Sequence, residues 1–250
     1  MRAIAPERLI SIVVPTRNEA ETLPGLLRSL ALEQERHETI VVDCDSPDGT
    51  AAAARAAGVR VVSTPEGRGR QLAAGVALAE GDVLLFLHAD TTFPAGGLAA
   101  LRAALDAAPA SAGGNFRLIF AGDDTFSRRV TRLYAFIRRH GLFYGDSGIF
   151  VRRAAYDRVG GFRPLAIMED HDFVRRVRRW GPLVQVVEPP LVTSTRRFAD
   201  RRPAEIVARW LLLHAMYALG LSGETMRGVY DARAGRTRLI SQRRSLSDQS

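Results

Sequence analysis

The sequence has no lysine, a single cysteine and no long apolar run. All 35 basic residues are therefore arginine, and against 27 acidic residues they give a formal charge of +8. A charge of this size favours anionic partners such as nucleotides, lipid phosphates or nucleic acid. Cys44 alone excludes an internal disulfide, and the run of about 20 apolar residues that a spanning helix needs is missing. Residues 1–7 lack the apolar core of a signal peptide, so we expect a cytoplasmic protein.

Glycine is also missing from the turn after the first predicted strand. Residues 9–14 are typical of a buried strand, and Pro-Thr-Arg-Asn-Glu follows at 15–19. A dinucleotide-binding fold would carry G-x-G-x-x-G here, and a P-loop would carry G-x-x-x-x-G-K-[ST]. Rossmann dehydrogenases and P-loop kinases are therefore excluded. The Asn18 and Glu19 side chains fit a nucleoside contact and the start of a helix equally well.

The first hundred residues alternate strand and helix patterns. We predict strands over residues 9–14, 38–43 and 59–63 and from residue 83, and helices over 20–32, 50–57, 70–79 and 95–108. Such a series implies a parallel sheet with right-handed crossovers. The fold class is therefore α/β, with a mostly parallel central sheet flanked by helices.

The regular alternation of predicted strands and helices ends in the second half of the chain. Alternation over Gly113–Phe120 predicts an antiparallel strand with one polar face, so we expect a small antiparallel addition to the sheet. Helices are predicted over 126–139 and 169–180, and a short strand over 147–151.

No linker rich in proline, glycine or serine divides the chain. We therefore predict one domain over residues 1–240 and a disordered polar tail over 241–250. Within the domain we expect a nucleotide-binding half at about 9–108, an acceptor half at about 109–200 and a C-terminal helical segment at about 203–223.

Carboxylates follow two of the predicted strands. Asp90 ends the apolar run that begins at Val83, and Asp43 and Asp45 follow the second strand. Because open α/β sheets bind ligands at the carboxyl ends of their strands, we expect these side chains to share one edge. Asp90 supplies a hard oxygen ligand for a divalent cation, and Asp43 or Asp45 suits a base or a ribose hydroxyl.

Two arginines open the third predicted helix. Arg68 and Arg70 alternate with Gly67 and Gly69 at its N-terminus. Guanidinium groups at a helix N-terminus suit a phosphate, although a solvated loop explains the same residues.

The order of these motifs resembles the inverting family 2 glycosyltransferases of the GT-A fold. The matching segments are VPTRNE at 14–19, VVD to DGT between 41 and 50, HAD at 88–90, GDSG at 145–148, GGF at 160–162 and MED at 168–170. The resemblance covers residues 9 to 200. It implies a UDP- or GDP-linked sugar donor, a hydroxyl acceptor that is a small molecule or a lipid, and a divalent cation, Mn²⁺ or Mg²⁺.

The resemblance also implies roles for donor-side residues. The nucleoside pocket would be lined by Pro15, Thr16 and Glu19 beside Asp43, and Asp90 would hold the metal bound to the diphosphate. On the acceptor side, the resemblance implies further roles. Asp170, preceded by Glu169, would be the catalytic base, and Asp146 and Ser147 fall where the family contacts its acceptor. Acids at the start of a helix also fit compensation of the helix dipole.

Two positions depart from the family pattern. The usual Asp-Asp after the second strand is Asp43-Cys44, with Asp45 one place later, which leaves the choice of nucleotide open. The first acid of the usual Asp-x-Asp is His88, which fits either a hydrogen bond or a metal ligand.

Two C-terminal segments suggest finer assignments. Residues 193–198 resemble the Ser-x-Arg-Arg-aromatic element of a small bacterial subgroup linked with arsenosugar biosynthesis. Arg196 or Arg197 would then close over the diphosphate, and the alternative is a solvated basic loop. The apolar residues 210–221 predict a buried helix, with a peripheral helix at the inner face of the membrane as the alternative.

Two other functions compete with sugar transfer. A nucleotidyltransferase shares a related sheet but needs a glycine-rich turn with Arg and Lys after the first strand. A non-catalytic basic protein that binds membrane or nucleic acid would explain the charge and leave Asp43, Asp90 and Asp170 unexplained. We therefore expect no nucleic acid partner.

Overall fold

The computed structural model describes residues 9–122, 124–139, 141, 143–193 and 203–229. The chain divides into two compact units, a larger one within Met1–Pro164 and Glu169–Ala199 and a smaller one within Leu165–Met168 and Asp200–Ser250. The single domain over residues 1–240 stays a prediction. The tail over 241–250 lies outside the described residues.

The larger unit combines strands with helices. Its strands are β1 (Ile10–Thr16), β2 (His37–Asp43), β3 (Arg60–Ser63), β4 (Val83–Phe86), β5 (Thr91–Thr92), β6 (Gly113–Phe120), β7 (Ile149–Arg152) and β8 (Leu183–Thr193). Its helices are α1 (Leu23–Ala31), α2 (Thr50–Ala56), α3 (Arg68–Leu78), α4 (Gly97–Ala107), α5 (Thr125–Arg139), α6 (Arg153–Arg158) and α7 (Glu169–Trp180), with a 3₁₀ turn at Gly145–Ser147. The predicted helix over 169–180 has the observed bounds. The predicted helix over 20–32 begins later, at Leu23, where Pro24 suits the first turn.

The strands form one mixed sheet in the order β3-β2-β1-β4-β7-β6-β8-β5. The first four neighbours are parallel, as predicted, and β7 is antiparallel to both β4 and β6. The predicted α/β class with a mostly parallel sheet is therefore confirmed. The carboxyl ends of β1, β2 and β4 lie side by side and define one edge of the sheet.

The prediction of an antiparallel strand over Gly113–Phe120 was wrong for most of β6. The strand is antiparallel to β7 only at Gly113 and Gly114, and it pairs with β8 in parallel from Gly113 to Phe120. Of the residues on its predicted polar face, Arg117 and Ile119 are partly exposed, whereas Asn115 is buried. Asn115 is 2% exposed and accepts a hydrogen bond from Arg138 Nε at 2.6 Å. Asn115 is polar because it forms a buried hydrogen bond, and the sequence pattern wrongly assigned it to a solvent-exposed face.

The parallel strands are buried on both faces. Alternate residues of β1 and β2, such as Val13 and Ile40 on one face and Val14 and Val41 on the other, are fully buried. On the first face, Leu72 and Val76 of α3 and Phe173 and Val177 of α7 belong to the same apolar cluster as Val13 and Ile40. Burial on both faces explains why these strands read as continuous apolar runs.

The smaller unit contains α8 (Pro203–Ala218) and helical residues 223–229. Leu213 and Met216 of α8 pack with Met168 and Met226, whereas Leu211 is 67% exposed and Leu219 is 80% exposed. The predicted buried helix over 210–221 is therefore buried on one side only. Within the described residues, no helix combines the length and the apolar character that crossing a membrane requires.

Close packing of α3 on the sheet depends on Gly75. A Cβ added at this position would lie 2.4 Å from Val13 Cγ1 and 2.9 Å from Val42 Cγ2. Gly25 of α1 offers a contrast, because an added Cβ there would meet only Arg28 Nη2 at 4.0 Å. Both glycines lie in helices, so they differ in packing rather than in backbone conformation.

We expect Gly75→Ala to lower the free energy of unfolding by about 1–3 kcal/mol, because the added methyl group overpacks the interface between α3 and the sheet. Gly25→Ala should instead raise it by roughly 0.5–1 kcal/mol through helix propensity. Urea denaturation of the two variants measures both changes. Equal effects of the two substitutions would contradict the packing of α3 on β1 and β2.

Candidate active site

Asp43, at the end of β2, is held by its neighbours. Its carboxylate is 1% exposed and lies opposite Thr16 in the β1–β2 register. Asp43 Oδ1 accepts hydrogen bonds from Thr16 Oγ1 at 2.9 Å and Ser46 Oγ at 2.7 Å, and Oδ2 accepts from Ser46 N at 2.9 Å. The carboxylate is therefore fixed in orientation at the edge of the sheet before any ligand arrives.

Gln71 also supports this edge, and the sequence analysis missed it. Its Nε2 donates to Thr16 O at 2.9 Å and to Val42 O at 2.8 Å, which ties the first turn of α3 to the ends of β1 and β2. The available signal was its place on the buried stripe of α3, next to Leu72 and one turn before Gly75. A polar residue on such a stripe indicates a buried hydrogen bond.

The loop after β1 is tied to the loop after β2. Glu19 N donates to Thr50 Oγ1 at 2.9 Å, and Glu19 Oε2 accepts from Thr22 Oγ1 at 2.6 Å. Pro15 is half-buried at the end of β1, and Asp45 is exposed with a positive φ of 53°. The structure thus places Pro15 and Glu19 beside the Asp43 edge and leaves the Asp45 side chain in solvent.

Arg68 is the first residue of α3 and is only 29% exposed. Its Nε lies 3.3 Å from Glu169 Oε1, and its Nη2 contacts Nε2 of His88. A guanidinium group can only donate, so His88 Nε2 is the acceptor, and its ring proton is assigned to Nδ1. His88 therefore faces Arg68, whereas Arg70 is exposed.

Gly145 completes this contact. A Cβ at position 145 would lie 2.2 Å from Arg68 Nη2 and 3.2 Å from His88 Nε2. The backbone N–H of Gly145 donates to Asp170 Oδ2 at 2.8 Å. Three of the sequence motifs therefore meet the start of α3 at one point, where a side chain at position 145 would displace the end of the Arg68 side chain.

Asp90 presents a buried carboxylate oxygen without a hydrogen bond. Among the described residues, no donor reaches Asp90 Oδ1. A buried oxygen of this kind carries a desolvation cost that a bound cation removes. The described part of the chain contains no group of three or more His, Cys, Asp or Glu side chains placed to hold a metal. Such a site fits Mg²⁺ or Mn²⁺ bound by one carboxylate and substrate phosphates.

Asp146 and Ser147 lie in the 3₁₀ turn and point in different directions. Asp146 is buried, and its Oδ2 accepts a hydrogen bond from Tyr134 OH at 2.9 Å. Ser147 Oγ donates to Tyr144 O at 2.6 Å, so its hydroxyl is turned inward. The ring of Tyr144 stacks on His171 with the centroids 6.5 Å apart. Burial raises the pKa of Tyr144, and the charges of Asp170 and Asp146 raise it further.

Three acids lie in the first turn of α7, and their partners differ. Glu169 is paired with Arg68, and Asp172 is paired with Arg176 through Nη2 at 2.7 Å. Asp170 is half-buried, and its hydrogen bonds within the described residues come from the backbone N–H groups of His171 at 2.7 Å and Gly145. Asp170 is therefore the acid of this turn that no arginine of the described chain neutralises. Arg196 and Arg197 lie outside the described residues.

The raised pKa of Tyr144 gives a test of the contact between the 3₁₀ turn and α7. Asp170→Asn removes a nearby negative charge, which favours the neutral phenol, so we expect it to lower the pKa of Tyr144. Absorbance titration of tyrosinate, with and without Tyr144→Phe to isolate this group, measures the change. Asp157→Asn on α6 is the matched control and should leave the Tyr144 titration unchanged. An unchanged curve in Asp170→Asn would contradict the proximity of Asp170 to Tyr144.

Two characterised proteins are similar to short parts of the chain. The 4,4'-diaponeurosporenoate glycosyltransferase of Staphylococcus haemolyticus is 38% identical over 89 residues, which are 32% of this chain and 24% of that protein. Glucosyl-3-phosphoglycerate synthase of Mycobacterium tuberculosis is 33% identical over 105 residues, which are 38% of this chain and 32% of that protein. The matched segments thus span a third or less of either relative.

Solved structures resemble a larger share of the chain. The M. tuberculosis synthase, in complex with Mn²⁺ and UDP-Glc, superimposes with a TM-score of 0.60 at 24% identity, covering 86% of this chain and 80% of that one. A mannosyltransferase from Pyrobaculum calidifontis, in complex with GDP-Man and Mn²⁺, gives a TM-score of 0.60 at 20% identity, covering 83% and 61%. At these identities the likeness shows the fold, which is the predicted GT-A type.

A family profile matches more than half of the sequence. Residues 11–160 match glycosyl transferase family 2, a span that runs from β1 to the end of α6. It includes Asp43, Arg68, His88 and Asp90 and the 3₁₀ turn at Gly145–Ser147. The chain belongs to glycosyl transferase family 2.

Proposed function

We propose that this protein is an inverting glycosyltransferase that moves a sugar from a nucleotide diphosphate to a hydroxyl acceptor. The main observation behind the proposal is that Gly145 lies next to residues of both the donor-side and the acceptor-side motifs. This residue faces Arg68 and His88, and its N–H holds the carboxylate of Asp170. Membership of the family supports the reaction type.

The donor would bind along the edge formed by the ends of β1, β2 and β4. Asp43, oriented by Thr16 and Ser46, would accept a hydrogen bond from the base or the ribose, with Pro15 and Glu19 beside it. Two structural neighbours carry UDP-Glc and GDP-Man, so UDP and GDP are the nucleotides to test.

Asp90 would hold Mn²⁺ or Mg²⁺ through the oxygen that lacks a partner in the described chain. When bound, the cation would neutralise charge on the departing diphosphate. Arg68 lies nearby, and its charge is paired with Glu169 at 3.3 Å. We assign His88 to orienting Arg68, because its Nε2 already accepts from that guanidinium.

Asp170 would accept the proton of the acceptor hydroxyl as that oxygen attacks the anomeric carbon. The new C–O bond forms on the face opposite to the bond that breaks, the diphosphate leaves with the bonding electrons, and the configuration inverts. Two backbone N–H groups hold the carboxylate in place. Tyr144 stays protonated at neutral pH, because the ordinary pKa of a phenol is already about 10 and burial raises it further, so it does not compete as a base.

Two finer assignments belong to the same proposal. Leu211, Leu219 and Leu221 expose apolar side chains in the smaller unit, and they support a peripheral contact with the inner face of the membrane. The resemblance to the subgroup linked with arsenosugar biosynthesis places such compounds in the acceptor screen. Neither assignment changes the roles of Asp90 and Asp170.

Asp90→Asn should abolish the metal-dependent part of nucleotide binding, because an amide is a weaker ligand than a carboxylate. Calorimetric titration of UDP and GDP, each with Mn²⁺ and with EDTA, should show binding by the natural protein that Mn²⁺ strengthens. In Asp90→Asn we expect that affinity to fall roughly tenfold or more. The control is Asp82→Asn, an exposed carboxylate next to the other end of β4. Failure of both nucleotides to bind the natural protein would refute the donor site itself.

Asp170→Asn should reduce turnover by about 10²- to 10⁴-fold, because it removes the general base, and leave nucleotide affinity unchanged. Turnover is measured as release of UDP or GDP from the donor that binds, with water as the acceptor until a better one is found. Asp157→Asn, on the surface of α6, is the control for the loss of one charge. If Asp170→Asn kept full turnover, another group would have to accept the proton of the acceptor hydroxyl.

A further inference from the structure

Helix α5 has a strongly basic outer side. Its sequence over Thr125–Arg139 contains five arginines and no acid. The helix packs against β6 of the larger unit and buries Ser127, Val130 and Tyr134. We define the opposite side as the basic face, which consists of the exposed residues Arg128, Arg129, Arg132, Phe136 and Arg139.

Phe136 lies in the middle of the basic face and is 58% exposed. Residues that are three, four or seven positions apart lie on the same side of a helix. Arg139 follows Phe136 by three positions, whereas Arg132 and Arg129 precede it by four and seven. The basic face therefore presents an aromatic ring to solvent with guanidinium groups on both sides of it along the helix.

Neither the helix dipole nor ion pairing accounts for the basic face. Cations in the last turn stabilise the negative end of the helix dipole, which explains Arg139. Arg129 and Arg132 lie outside that turn, and within the described residues neither of them forms an ion pair. Arg128 and Arg132 are four residues apart, where like charges destabilise a helix. An anionic partner would remove this repulsion.

The basic face matches a surface of anionic lipid headgroups. A helix that lies on a membrane keeps its basic residues among the headgroups and inserts apolar side chains at the acyl boundary. The negative surface potential of the membrane attracts arginines placed in this way. Single-stranded nucleic acid instead binds in basic grooves lined by aromatic side chains, whereas the basic face is the convex side of one helix. The observations therefore favour lipid over nucleic acid.

The buried side of α5 contacts the proposed acceptor side of the site. Tyr134 OH donates to Asp146 Oδ2 at 2.9 Å, and Asp146 follows Gly145, whose N–H donates to Asp170 Oδ2. An α-helix with its side chains is about 10–12 Å across. The basic face therefore lies about one helix diameter from the 3₁₀ turn. A surface bound to this face would be close to the acceptor side of the site.

We propose that the basic face of α5 docks the larger unit on an anionic lipid surface. Phe136 enters the acyl boundary, and Arg129 and Arg132 bind lipid phosphates with paired hydrogen bonds. The inference goes beyond the proposed function, and it does not depend on the exposed leucines of the smaller unit. It assigns the membrane contact to the same unit that carries Asp90 and Asp170.

Co-sedimentation with vesicles tests the basic face. The full chain, without nucleotide or metal, is mixed with vesicles of equal parts phosphatidylcholine and phosphatidylglycerol, and with vesicles of phosphatidylcholine alone. We expect binding to the mixed vesicles only, and we expect salt to weaken it because the attraction is electrostatic. The double variant Arg129→Gln/Arg132→Gln should raise the apparent Kd roughly tenfold or more. Phe136→Ser should weaken binding and leave its salt dependence unchanged, because it removes no charge.

Matched variants separate the basic face from the charge and apolar surface of the rest of the chain. Arg36→Gln/Arg55→Gln removes two exposed arginines outside α5, and Leu32→Ser removes an apolar side chain that is 74% exposed. Both variants should bind the mixed vesicles as the natural protein does. Arg129→Lys/Arg132→Lys keeps the charge and should retain most of the affinity. Urea denaturation of every variant separates loss of binding from loss of folding.

Several outcomes would overturn the inference. They are equal binding by the natural protein and the Gln double variant, and no binding to the mixed vesicles. Loss of binding in Leu211→Ser/Leu219→Ser, with full binding by the α5 variants, would assign the membrane contact to the smaller unit instead. Binding to a DNA or RNA oligonucleotide but not to vesicles, lost in the Gln double variant, would assign the basic face to nucleic acid.

Nucleotide titration reports on the donor site separately. Loss of the Mn²⁺-dependent nucleotide signal with retained, arginine-dependent vesicle binding would refute the donor proposal and leave the basic face standing. Retained nucleotide binding without vesicle binding would refute the basic face and leave the donor proposal standing.

Discussion

The guanidinium group of Arg68 connects parts of the chain that are distant in sequence. It begins α3, and it is mostly buried between Glu169 of α7, the His88 ring after β4 and the backbone of Gly145. A charge removed from water in this way needs its partners, because loss of one partner leaves the others uncompensated. The position of α7 relative to the sheet edge, and so the position of Asp170, therefore depends on one cation and on one residue without a side chain.

The three acids in the first turn of α7 differ in role: two form ion pairs that stabilise the structure, and the third is the proposed base. Glu169 and Asp172 are bound to arginines, and they fix the helix against α3 and within its own next turn. Asp170 receives only backbone N–H donors in the described chain. Backbone donors orient a carboxylate without adding a full positive charge beside it. Asp170 can therefore be held in place and still be free to take up a proton.

The sequence contains most of the fold and only part of the site. Apolar runs such as the one that begins at Val83 identify strands buried on both faces, and the helices between successive strands imply parallel pairing. The partner of Asn115 is Arg138, which no local pattern indicates, and this contact produced the error in β6. The carboxylates at Asp43, Asp90 and Asp170 follow from motif order. The bonds of Gln71 and the pairing of Arg68 with Glu169 are tertiary contacts that residue spacing does not encode.

The two-residue strand β5 has consequences for how the protein assembles. Thr91 and Thr92, directly after Asp90, pair with Thr193 and Val192 of β8, which is the last strand among the described residues. Contacts between such distant segments form late, because their loop-closure entropy must first be overcome. During synthesis, the parallel strands β1 to β4 can pair before the ribosome has synthesised the rest of the chain. In a nascent chain, the strand ends around Asp43 would thus form early. The segment that carries Asp90 would become fixed only after β8 has been synthesised and has paired with β5.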